Sequence, residues 1–103
     1  MDFSAFRASL AGTVPPPGLS DAVAALWWDA KGDWDRAHEC AQAGDDAAGA
    51  AVHAYLHRKE GDASNAAYWY RRAGRPVARA ALEQEWTALA GELLGQAWIR
   101  PAG

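Results

Sequence analysis

Cysteine is almost missing from this sequence. Cys40 is its one thiol, which excludes an internal disulfide and any zinc ribbon built on cysteine pairs. β-Branched residues are nearly as scarce: Val14, Val23, Val52, Val77, Ile99, Thr13 and Thr87 are the complete set, too few to furnish a sheet. No uncharged stretch approaches the roughly 18 apolar residues of a membrane span, and the run from Leu10 to Ser20 is broken by Pro15, Pro16 and Pro17. The opening Met1-Asp2-Phe3 carries no basic region ahead of an apolar one, so no signal peptide is expected and the expected location is cytoplasmic. Basic residues are not in excess either. There are 10 Lys+Arg against 13 Asp+Glu, a net charge of −3, far from the balance of a nucleic-acid binder. Phosphate-cradling glycine loops, a serine elbow and a His-Glu-x-x-His run are all lacking, so no catalytic set is assigned and an enzyme is not the leading expectation.

What remains is a chain of 103 residues, 50% hydrophobic and 22% charged, the size of one domain with one core. Alanine is abundant, which favours helix throughout. The expected fold is therefore all-α. Phe3, Phe6 and Leu10 recur at helical spacing, and the proline run ends that opening helix, so residues 1–19 read as a short helix and an arm. Ser20 caps the next helix, whose face carries Val23, Leu26, Trp27 and Ala30 up to Gly32. Asp33 caps another, which Gly44 ends in a left-handed residue, and Asp45 or Asp46 caps the one after. That helix stops at Gly61, Asp62 caps its successor, and Gly74 and Pro76 end it. Leu82, Trp86, Leu89, Leu93 and Leu94 mark a last helix over 80–95, closed by Gly95.

The same punctuation occurs twice. Asp33 and Asp62 are 29 residues apart, and that offset lays Gly32 on Gly61, Ala37 on Ala66, and Leu26 and Trp27 on Tyr55 and Leu56. Two helical hairpins of one design, over 20–44 and 45–74, are implied. Glycine lets the first arm end sharply, aspartate caps the second, and alanine inside the second arm lets the two backbones approach.

This pattern resembles the tetratricopeptide repeat, and Gly61, Asp62, Ala66, Tyr70 and Ala73 follow its Gly-Asp, Ala, aromatic, Ala order. Asn65-Ala66-Ala67-Tyr68-Trp69-Tyr70-Arg71-Arg72-Ala73 is similar to the second helix of the Sel-one-like variant, which ends Ala-Trp-Tyr-Arg-Lys-Ala. The spacing of 29, rather than about 34, the two copies, and Cys40 and Ala41 in place of an aromatic depart from the family. The resemblance implies a compact five-helix domain, two hairpins flanked by N- and C-terminal capping helices that bury Phe3, Phe6, Trp86 and Leu89.

Several side chains could carry function. His53 and His57 are four apart, so both imidazoles share a helix face, the spacing of two metal ligands, with a third donor available from His38 or Asp62. Plain packing accounts for the same spacing, and no metal or cofactor is assigned. Charge is uneven: Met1 to Val52 hold three basic and eight acidic residues, His53 to Arg79 six basic and two acidic. Arginines beside exposed rings suit an acidic peptide, since guanidinium forks grip carboxylate while rings stack. The leading expectation is a protein or peptide partner, held by Trp28, Trp34 and Tyr68 with clamps from Arg58, Arg71 and Arg72. An alternative is a small anionic ligand or substrate at His53, His57 and the same arginines, and a third is self-association through an apolar face. Neither nucleic acid nor membrane is expected. Trp27 and Trp28 differ by about 100° around their helix, so one of them should be partly exposed, while Trp98 and Ile99 could pack back on the core or dock on another copy.

Overall fold

Five helices of this chain begin beneath a side chain that turns back to cap them. The Asp2 carboxylate accepts from Ala5 N, Ser20 Oγ from Val23 N, Asp33 from Arg36 N, Asp46 from Gly49 N and Asp62 from Asn65 N, at 2.8–3.3 Å, each satisfying an amide that a helix start leaves open. The computed structural model describes residues 1–44 and 46–99, with side chains as far as residue 95. The helices are α1 (Phe3–Ser9), α2 (Asp21–Ala30), α3 (Trp34–Ala43), α4 (Ala47–Glu60), α5 (Ala63–Ala73) and α6 (Leu82–Ile99). Among the described residues the fold is all-helical, with no strand. Among those residues the helices number six, not five, because four central helices and one at each end all form separately.

The two corners are built alike. Gly32 and Gly61 take φ of +83° and +90°, a left-handed backbone that glycine adopts without a Cβ clash. At the first corner Asp33 N donates to Trp28 O at 3.0 Å, and at the second Asp62 N donates to His57 O at 2.9 Å, the six-to-one bond that closes a helix against its successor. α3 packs on α2 and α5 on α4. Gly44 behaves differently from expectation. Its φ is −82° and ψ 105°, because the chain leaves α3 extended and enters the Asp46 cap directly; Asp45 lies outside the described residues.

α4 is the axis of the molecule, touching α2, α3, α5 and α6. Its residues Gly49 to His57 are all buried, the mark of a helix covered on every side. Around it, Phe6, Leu26, Trp27, Val52 and Leu56 are wholly buried, and Ala37 and Ala66 are buried too. α1 and α6 cover the end of this core, with Phe6 and Trp86 rings stacked at 5.9 Å. Phe6, Trp86 and Leu89 are buried and Phe3 half-buried. The buried indoles find acceptors, as buried N–H groups must: Trp86 Nε1 donates to Leu26 O at 2.9 Å and Trp27 Nε1 to Ser9 Oγ at 3.0 Å. The radius of gyration, 12.8 Å, is that of one compact domain of about this length.

α6 does not stop at Gly95 but runs to Ile99. Neither Gly91 nor Gly95 has a positive φ, and a glycine kept helical costs only about 1 kcal/mol. Trp98 and Ile99 thus stand within α6, and where their side chains point lies outside the described residues. No helix is long and apolar enough to cross a membrane among the described residues.

Candidate functional site

The buried axis helix carries two of the three histidines. His53 and His57 are 3% and 6% exposed and lie one turn apart, their rings stacked at 4.8 Å. α3, laid across α4, supplies the third: His38 Nε2 is 2.9 Å from His53 Nε2, and the His38 ring is 5.3 Å from that of His57. One nitrogen from each of the three rings lies within 4.8 Å of the others. Two indoles clamp the group from outside. Trp34 stacks on His38 at 4.9 Å and Trp69 on His53 at 3.9 Å, and Trp34 is itself pinned by its Nε1 to Leu56 O at 3.0 Å.

Charge on His38 and His53 is disfavoured. Burial, followed by the neighbouring His38 and His57, lowers the His53 pKa to about 4, and burial, then His57, lowers that of His38. Both are neutral at pH 7, so one Nε2–H donates to the other's lone pair. His57 Nδ1 sits 2.6 Å from Glu60 Oε1, one turn further along α4. Asp62, the other third donor suggested by spacing, groups with His57 and Glu60 rather than with His53.

From this cluster an aromatic row continues outward over α5. Tyr68 and Trp69 meet edge to face at 5.2 Å, Tyr68 is 45% exposed, and the Arg72 guanidinium lies 5.3 Å from the Trp69 ring centre and 5.9 Å from that of Tyr68. A cavity of about 150 Å³ opens beside His53 between Trp69, Arg72, Gln42 and Asp46. Comparison with family models, with curated proteins and with solved structures finds no match. What the site does must therefore be argued from its own chemistry.

Of the residues singled out in the sequence, Trp34, His53, His57, Tyr68 and Arg72 come together along this row. Arg71, in the last turn of α5, is exposed. Trp28 is half-buried beneath Arg36, 4.6 Å from its ring centre, while Trp27 is fully buried. Arg58 is engaged elsewhere: it donates to Glu85 Oε1 at 2.7 Å and to the Ala80 carbonyl. Glu85 also accepts from Tyr70 at 2.5 Å, and the buried Asp29 accepts from Tyr55 at 2.8 Å and Lys59 at 2.9 Å. These networks lock α2, α5 and α6 onto α4. His38, expected only as a possible metal donor, and Trp69 are the members of the row that sequence reasoning left out of the binding set. For Trp69, its spacing of three from Ala66 was the available signal, since that places it beside the buried stripe of α5.

Proposed function

We propose that this protein is a small helical-repeat interaction module that binds a protein or peptide segment, and that α2–α3 and α4–α5 are two tetratricopeptide-like hairpins capped by α1 and α6. The observation that carries the reading is the continuous row Trp34, His38, His53, Trp69, Tyr68, which crosses α3, α4 and α5 and ends in an exposed phenol with an arginine across it. Tyr68 is exposed and Trp34 and Trp69 are half-buried behind it, and such rigid rings give contact area at little entropic cost. Because α4 beneath them is buried on every side, little ordering would be needed on binding. Arg71 and Arg72 favour a segment with acidic side chains.

A small anionic ligand at His53 and His57 has weaker support. The cavity beside His53, about 150 Å³, is below the roughly 300–1,000 Å³ of small-molecule sites.

Panning a random displayed-peptide library against the intact protein tests the reading. Enrichment of acidic, aromatic-containing peptides that lose binding to Tyr68→Ser and to Arg71→Ala/Arg72→Ala supports it. No enrichment, or peptides that bind the variants equally well, refutes it.

A further inference from the structure

We propose that His38, His53 and His57 form a binding site for one divalent transition-metal ion of the zinc class, which staples α3 to α4. The site goes beyond the interaction reading and does not depend on it. The donor set suits such an ion: three imidazoles favour zinc, cobalt, nickel or copper, whereas magnesium and calcium ask for oxygen.

The geometry is close to what is needed. With Zn–N of about 2.0–2.1 Å, tetrahedral ligand nitrogens stand roughly 3.3 Å apart; here the His38 and His53 Nε2 atoms are 2.9 Å apart and all three donors lie within 4.8 Å. Adjustments of about an ångström, reachable by side-chain torsions, close the set. Both α4 ligands project from one helix face, and the third comes from the helix packed against it, so the site exists only in the folded chain.

The surroundings match those of ligating histidines. The Glu60 carboxylate on His57 Nδ1 at 2.6 Å holds a proton there and leaves the Nε2 lone pair for the ion, the carboxylate–histidine arrangement that orients metal ligands. Trp34 and Trp69 fix the planes of the His38 and His53 rings. Three protein ligands leave a fourth position for water.

The test uses the full-length, tag-free protein stripped of metal, titrated with Zn²⁺ by calorimetry and with Co²⁺ by visible absorption. One Zn²⁺ per chain is expected, with a four-coordinate Co²⁺ spectrum that Zn²⁺ displaces. At a hundredfold excess over Kd the melting temperature should rise by about 10 °C or more. His38→Gln is the decisive variant, because His38 is only half-buried and its loss leaves α4 intact. Its circular dichroism and metal-free melting should stay near the parent's while Zn²⁺ affinity falls more than about tenfold. His53→Asn, which shrinks a buried ring, should lower metal-free melting as well, and in the still-folded variant Zn²⁺ affinity should fall by a similar factor. No Zn²⁺ or Co²⁺ binding at tens of micromolar, or affinity unchanged in folded His38→Gln, overturns the proposal; the latter would place the ion on His57, Glu60 and Asp62 instead.

Discussion

Replacing Gly49 by alanine should damage this protein more than an alanine in a helix usually does. Gly49 lies in the first turn of α4, where the end of α3 passes against it. A Cβ built there would stand 2.1 Å from Gly44 O, 3.0 Å from Gly44 C and 3.1 Å from Ala41 O. Carbon–oxygen contacts close at about 3.3 Å, so the end of α3 must retreat by roughly 1 Å, and the obstacle is backbone that cannot rotate away. Overpacking of this kind costs about 1–3 kcal/mol or somewhat more. Exchanging glycine for alanine returns up to about 1 kcal/mol of helix propensity. The net loss is about 1–2 kcal/mol, a fall in melting temperature of roughly 5–15 °C for a chain of this length. Thermal unfolding followed by circular dichroism reads it, with Gly91→Ala as the matched control. Gly91 is helical and exposed and its added Cβ would meet nothing within 4 Å, so that change should stabilise by about 0.5–1 kcal/mol. Equal stabilisation by both substitutions would refute the close α3–α4 approach, and with it the placement of His38 against His53.

Other consequences are equally open to measurement. Glu85→Ala strips the carboxylate from both Arg58 and Tyr70, and loss of one member of a buried charged network should cost about 3 kcal/mol, read as a lower urea midpoint at unchanged slope. Asp62→Ala removes the α5 cap and should cost about 1 kcal/mol in the same assay. Glu60→Gln should weaken Zn²⁺ binding by about 10–100-fold through the orientation of His57, with little change in metal-free melting. In alkali, Tyr55 and Tyr70 hold their protons above the ordinary tyrosine range, because burial and then their hydrogen bonds to Asp29 and Glu85 disfavour phenolate. The unfolded chain releases those protons near pH 10 and the folded chain does not, so stability present below about pH 10 drains away as pH rises above it. Two phenolate equivalents should therefore appear only together with unfolding in a spectrophotometric titration; their release from the still-folded protein would contradict the buried hydrogen bonds.

The corners were legible along the chain because their chemistry is local. An aspartate caps the amide three residues on and a glycine turns left, whatever surrounds them, and Gly32, Asp33, Gly61, Asp62 and Gly74 all do so. Gly44 and Gly95 follow other rules. What Gly44 does depends on the α4 cap that comes next, and Gly95 stays within α6, which runs on to Ile99. The histidine cluster was half legible: spacing put His53 and His57 on one face, but which third donor joins them depends on how α3 crosses α4. The basic run of α4 and α5 was the most misleading feature in one dimension. Arg58, Lys59 and Arg75 meet Glu85, Asp29 and Glu92, acids supplied by α2 and α6, so half of an apparent patch is spent inside the fold. Arg71 is exposed at the end of α5, while Arg72 beside it donates to the Tyr68 hydroxyl at 3.2 Å and lies over the Trp69 ring.

The close approach of α3 and α4 carries every functional statement made here, and proton NMR of the histidine rings measures it most directly. Cross-relaxation peaks joining the ring protons of His38 to those of His53, and joining Trp69 to His53, are the predicted result, given ring centres 4.5 Å and 3.9 Å apart. Fully assigned rings without those peaks would contradict it.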